Sequence, residues 1–249
     1  LLATREMLEA KGIFHDIDKI ISIPTLSSVV NQINQLIEHN ASMTEITEVI
    51  ELDPGMSVRI LRLVNSSCYD RKIISIRDAT QKIGKDLIKT IINDVEYTHT
   101  IDDKSPEGLK YSLMKRHANI TVNIINLIFR DVFQQETNEY IKQAGFLHNI
   151  GILFSEKAPI PHQEVGGNLL NWWGAPDQLT EGALFHHNPF AASEKNLEIV
   201  MAVHLASYYA NTFVGIETLE LDERVFRRLK VDPYVFDKSI CAAKTHLMS

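Results

Sequence analysis

Cysteine is almost absent: Cys68 and Cys241 are the only two in 249 residues, too few for a disulfide framework and without the paired spacing of a zinc site. A reducing, cytoplasmic setting is expected. No apolar run approaches the roughly 20 residues that span a bilayer, and the opening LLATREMLEAKG reads as an amphipathic start rather than a signal peptide. No membrane partner is expected. There is no Lys/Arg block, and the formal net charge is −7, so the electrostatic footprint of a nucleic-acid binder is missing. Low-complexity segments and fixed-period repeats are missing too.

What remains is 45% hydrophobic, ample for a sizeable core, and its apolar residues follow helical rather than alternating spacing. Leu26, Val29, Val30, Ile33, Leu36 and Ile37 form one stripe at i, i+3, i+4, i+7. Ser42 with Glu45 reads as a capping box. Asp53 followed by Pro54, and Asp232 followed by Pro233, read as N-caps with proline at the first helical position. Ser75 with Asp78 opens a short helix ending near Gly84, and Leu87, Ile88, Ile91, Ile92 and Val95 continue on another. The chain is predicted to be all-α, with two lobes. IDDKSPEGL, residues 101 to 109, is the expected boundary, dividing an N-terminal helical lobe (1–105) from a histidine-bearing helical core (106–249).

Six of the ten histidines fall between residues 117 and 204. His117 shares a stripe with Leu113, Ile120, Ile124 and Leu127, so its ring should point where core side chains point. His148 does the same with Ile141, Ala144 and Gly151, and His162 with Val165, Gly166 and Leu169. His186 and His187 end a helix just before Pro189. One buried histidine is ordinarily a hydrogen-bonded core residue. Five on four helical segments suggest a common site, because bundles build metal centres from imidazoles aimed inward by different helices. Hydrolytic centres also use carboxylates to offset charge and orient water, and none accompanies these histidines. Asn149, beside His148, is neutral.

Several blocks in order resemble the HDOD family, the HD-related output domains of bacterial signalling proteins: ISIPTLSSVVNQINQLIE, DPGMSVRILRLVNSSCY, IISIRDATQKIG, FLHNIGILF and HQEVGGNLLNWWGAPDQLTEGALFHHNP. That family is related to HD-type metal-dependent phosphohydrolases, whose ligands are a first helical histidine, a His-Asp pair and a late aspartate. The resemblance puts His117 first and His148 in the pair, with Asn149 where the aspartate would be. His162, His186 and His187 match the additional histidines of two-metal members, and Ser207 falls at the late aspartate. Both expected carboxylates are replaced.

The resemblance therefore implies a non-catalytic regulatory output domain with no catalytic residue. It would act on a regulatory protein or another signalling domain, or through a phosphate-bearing small ligand. No cofactor is expected beyond a residual divalent transition metal on His117, His148, His162, His186 and His187. The rival expectation is a metal-dependent phosphohydrolase with an altered ligand set. Asn65, Ser66 and Ser67 read as a helix-end cluster bonding to backbone, Trp172 and Trp173 as packing residues, DERVFRRLK (222–230) as a solvated helix face, and Cys68 as a small buried hydrophobe.

Overall fold

The structure, a computed structural model, describes residues 23–66, 73–98, 100–154, 160–216 and 219–247. Cys68, Ser67 and the N-terminal stretch lie outside the described residues. As the spacing predicts, the described chain is almost wholly helical. Its helices are α1 (Ser27–Glu38), α2 (Met43–Glu51), α3 (Pro54–Ser66), α4 (Ile76–Thr98), α5 (Pro106–Ile128), α6 (Glu139–Leu147), α7 (His162–Trp172), α8 (Asp177–Phe185), α9 (Leu197–Phe213), α10 (Arg224–Leu229) and α11 (Pro233–Leu247). A π-helical turn, Phe129–Phe133, extends α5, and a 3₁₀ turn, Ile150–Leu153, follows α6. The exception is a two-residue parallel pair, β1 (Thr25–Leu26) beside β2 (Thr100–Ile101), in register Thr25 to Thr100.

The starts and stops follow local chemistry. Ser42 and Glu45 close the capping box of α2, each side chain bonded to the other's backbone N–H. Asp53 Oδ1 accepts from Met56 N at 2.9 Å at the head of α3, and Asp232 Oδ1 from Val235 N at 3.1 Å at the head of α11. In α4, Gly84 takes φ 74°, a left-handed value that glycine adopts without steric cost, and this breaks the helix where the sequence does. Ser105 caps α5 through Gly108 N, with Pro106 in the first turn.

Two apolar cores result. The larger runs from Ile23 to Ala183 and takes in α1 to α4 together with Met114 and Ala118 of α5, Leu147 of α6 and Leu169 of α7. It is thus built from both sides of residue 105. The other face of α5, with Ile120, Ile124 and Ile128, packs on α9, α10 and α11 through Met201, Leu205, Phe226 and Phe236. Around the circumference of α5, His117 lies between the side of Met114 and Ala118, which faces the first core, and the side of Ile120 and Ile124, which faces the second, so the histidine region sits where the two cores meet. Among the described residues, no helix is long and apolar enough to cross a membrane.

Candidate histidine site

Four elements deliver the rings. α5 carries His117, His148 caps the end of α6, the first residue of α7 is His162, and His186 and His187 directly follow α8. His117, His148 and His186 are fully buried, while His162 and His187 are half-buried. All five candidates come together as a chain of rings: His117 to His148 at 5.3 Å between centroids, His148 to His186 at 4.9 Å, His186 to His162 at 5.4 Å and His186 to His187 at 4.5 Å. α7 is seated closely against the turn after His148. A Cβ on Gly151 would lie 1.9 Å from the His162 carbonyl oxygen and 2.6 Å from Gly166 N, so only glycine permits this approach.

Hydrogen bonds fix the rings. His148 Nδ1 lies 2.6 Å from the Gly145 carbonyl oxygen and His186 Nδ1 lies 2.7 Å from that of Ala183. A carbonyl can only accept, so each Nδ1 carries hydrogen, and in the neutral ring Nε2 presents its lone pair. His148 Nε2 faces Ser207 Oγ of α9 at 3.1 Å and His117 Nε2 at 3.3 Å, and Ser207 Oγ is 3.2 Å from His117 Nε2. His186 Nε2 faces His162 Nε2 at 3.4 Å. His148 and His186 thus share one device: a backbone carbonyl at the end of their own helix holds one nitrogen and aims the other inward.

These distances suit two chemistries. Donor atoms about 2.1 Å from a tetrahedral metal stand roughly 3.4 Å apart, close to the spacings here, and imidazoles held through Nδ1–H to a carbonyl are the usual form of metal-binding histidine. The same spacings are hydrogen bonds if Ser207 donates to His148 and His117 donates to Ser207. Among the described residues, His162, His186 and His187 are the group of three or more His, Cys, Asp or Glu whose donor atoms converge, all within 4.8 Å of one another. That trio fits one transition metal. It offers no carboxylate to bridge two ions or offset their charge, so the donor set does not fit a hydrolytic pair. Asn149, 2% exposed, is buried beside His148, and Ser207 is fully buried where α9 reaches the cluster.

One participant was not among the sequence candidates. His204, one turn before Ser207 on α9, donates from Nδ1 to the His186 carbonyl oxygen at 2.7 Å and accepts at Nε2 from Asp222 N at 3.0 Å. Both nitrogens are satisfied within the fold, so His204 braces the end of α8 and ties it to the loop before α10. Its spacing from Ser207 was the available signal. The other features take their plainer roles. Asn65 bonds both the N–H and the carbonyl of Ile73 at 2.8 Å, linking the end of α3 to residue 73. Trp172 and Trp173 pack against the larger core, and Arg62 lies over the Trp173 ring at 5.6 Å. Arg224 and Arg228 sit on an exposed face, paired with Asp222 and Glu194.

Comparison with known proteins follows the same outline. A family model described as HDOD domain matches residues 23–159. An uncharacterised protein of Treponema pallidum (strain Nichols) is 21% identical over 221 residues, 76% of this chain and 42% of that protein. The chain therefore spans about two fifths of the curated relative it matches. Among solved structures, the MmoQ response regulator of Methylococcus capsulatus superposes with a TM-score of 0.68 at 16% identity, over 92% of this chain and 98% of that one. An HDOD domain protein of unknown function from Geobacter sulfurreducens gives 0.52 at 21% identity, over 97% of each chain. A virulence factor from Campylobacter jejuni gives 0.56 at 19% identity, over 94% and 91%. At these identities the likeness is one of fold.

Proposed function

The chain belongs to the HDOD domain family, and from that membership we propose that it is a non-catalytic signalling module, passing a regulatory state to a partner protein or another signalling domain. The observation that carries this reading is the neutrality of the cluster's donors. Five imidazoles lie ring against ring in one chain, and the resemblance to HD-type hydrolases puts neutral residues, the buried Asn149 and Ser207, where those enzymes hold carboxylates. Without negative ligands, a bound divalent ion keeps its full charge and gains no carboxylate base to orient an attacking water. The name of one fold relative, a response regulator, agrees with a signalling role.

The site is also well placed to influence the surface. Two residues beyond Ser207, the buried Tyr209 donates its hydroxyl to Asp237 on α11. Burial and that carboxylate together hold the Tyr209 hydroxyl well above the ordinary phenol range. α9 therefore joins the histidine region, through Ser207, to α11, through Tyr209. His187 opens onto a recess of about 470 Å³ that takes in Arg224 and Arg227 together with Glu220, Asp222 and Glu223, and Arg224 is paired with Asp222, so of the two effectors the resemblance implies, a protein partner is better supported here than a phosphate-bearing small ligand.

A second reading, a metal-dependent phosphohydrolase, is favoured by the convergence of His162, His186 and His187. A metal there would supply a Lewis acid and a more acidic bound water. One experiment separates the two. The protein is purified without chelators, assayed for bound transition metal, and tested against a nucleotide and phosphoester panel with manganese, iron or zinc added. The module reading expects no turnover under any metal. Turnover abolished by His148→Ala establishes the hydrolase instead.

A further inference from the structure

One stripe of α5 is polar from end to end. Ser112, Arg116, Asn119, Asn123, Asn126 and Arg130 alternate steps of four and three, the spacing of a single helix face, and all six line a groove of about 890 Å³. Leu26, Ser28 and Leu52 also line it, as do Ala243 and Leu247 of α11. Two of the asparagines tie those elements to α5. Asn119 Nδ2 donates to the Leu52 carbonyl oxygen at 3.2 Å, and Asn123 Nδ2 to that of Leu247 at 3.0 Å.

Each amide keeps hydrogen-bonding capacity that the fold does not use. An asparagine side chain offers two N–H donors and one oxygen acceptor. Asn119 Nδ2 also donates to the Lys115 carbonyl oxygen at 2.8 Å, but its Oδ1 meets no donor among the described residues. Asn123 is left with Oδ1 and one N–H. Asn126 Oδ1 accepts from Thr137 Oγ1 at 2.6 Å, which leaves both of its N–H groups. All three residues are half-buried, and none of these open atoms is sealed from solvent.

Donors and acceptors are thus interleaved over seven residues, about 10 Å of helix. That matches the alternating C=O and N–H groups of an extended chain, about three residues long at roughly 3.3 Å each. A helical ligand bonds its own backbone groups internally and would leave these amides unmet. A phosphate chain brings acceptor oxygens alone, and would set them against the open oxygens of Asn119 and Asn123.

The charge of the groove is opposite to that of the chain as a whole. Lys115, Arg116 and Arg130 line it against a single carboxylate, Asp103. Asp103 is engaged by Ser27 Oγ at 2.8 Å and Ser28 N at 2.9 Å. Lys115 stands 3.8 Å from Asp53 Oδ2, and Arg130 is bonded to Asp131. Arg116, one turn before Asn119, is exposed and has no carboxylate partner among the described residues.

We propose that this stripe binds an extended acidic segment of a partner protein, its backbone bonded by Asn119, Asn123 and Asn126 and a carboxylate meeting Arg116. The proposal deepens the module reading and rests on it for the expectation of a protein partner. The segment would lie between Leu26 of the larger core and Leu247 of the other, on the helix that carries His117.

The test uses the whole chain and three labelled peptides of about eight residues, enough to span the roughly 21 Å of helix from Arg116 to Arg130. One has two glutamates followed by alternating glycine and serine. The second has lysines in place of the glutamates, and the third is the glutamate peptide with its glycines N-methylated. In fluorescence anisotropy at low salt, the glutamate peptide should bind at least about tenfold more tightly than the lysine peptide. It should also bind about threefold or more tightly than the N-methylated peptide, which has lost N–H groups for Asn119 and Asn123. Arg116→Glu should erase or reverse the charge preference. Asn126→Asp keeps an acceptor for Thr137 and removes the two donors, so it should weaken the glutamate peptide. Arg116 is exposed, and unchanged circular dichroism and melting confirm that its variant is folded.

Equal binding of the glutamate and lysine peptides, no binding, or a charge preference that survives Arg116→Glu overturns the proposal. Indifference to N-methylation overturns it as well, because the asparagines would then not be holding backbone. So does a dimer in sedimentation that Arg116→Glu dissolves, since the stripe would belong to a second copy. Phosphate release from the nucleotide and phosphoester panel would sink the module reading without altering the peptide preferences, so the two failures are distinguishable.

Discussion

Ser207 Oγ lies 3.1 Å from His148 Nε2, so a neutral hydroxyl from α9 meets the lone pair that the Gly145 carbonyl has aimed from the end of α6. A carboxylate at that point would change the chemistry of the cluster more than any further histidine. Replacing both neutral residues, Asn149→Asp with Ser207→Asp, is expected to raise affinity for manganese or iron by about tenfold or more. Calorimetric titration of the folded double variant against the wild type measures it. Equal affinities would mean that the lost charges are not what limits metal binding.

The approach of α7 to the turn after His148 depends on Gly151. Its added Cβ would fall 1.9 Å from the His162 carbonyl oxygen, a backbone atom that cannot rotate away. Gly151→Ala should therefore push α7 outward at a cost of about 1–3 kcal/mol, read in urea denaturation. It should also move His162 away from His186, weakening any metal bound by the trio. Unchanged stability would show that the helix shifts freely and that the glycine is not what seats His162.

Much of this arrangement was legible beforehand, for local reasons. Caps at Ser42, Asp53 and Asp232 are short-range hydrogen bonds, and Gly84 breaks a helix by its own backbone freedom, so each could be read within a few residues. The inward turn of His117 followed from the period of α5. The same period misplaced Leu113, which is 45% exposed, because spacing tells which residues share a face and not how far along that face the neighbours reach. Contacts between distant segments were invisible. Tyr111 donates to Asp53 Oδ1 at 2.7 Å across 58 residues, and Asp103 reaches Ser27 and Ser28 across more than seventy. His204 was missed likewise, since its partners His186 and Asp222 lie on other elements.

Asp53 supplies a pH test. Burial pushes its carboxyl above the usual carboxylate range, although Lys115 and the donors Met56 N and Tyr111 oppose the shift. A folded value above the unfolded one, about 3.9, means its stabilising contribution is complete below that value and is lost as pH rises through the folded value. Asp53→Asn keeps an N-cap acceptor but cannot titrate. The stability of the wild type relative to this variant should therefore fall from about pH 4 upward, read by urea denaturation at a series of pH values. A difference that stays constant, or grows with pH, contradicts the assignment.

The most direct measurement of the central claim is a single-turnover assay, with protein in excess over a labelled phosphodiester or nucleotide and manganese, iron or zinc supplied in turn. It detects even one slow hydrolytic event per site. Neutral donors at Asn149 and Ser207 predict phosphate release at the rate of buffer alone, the same for the wild type and His148→Ala. Release above buffer that disappears in His148→Ala would contradict the account, and the histidine cluster would then be an active centre.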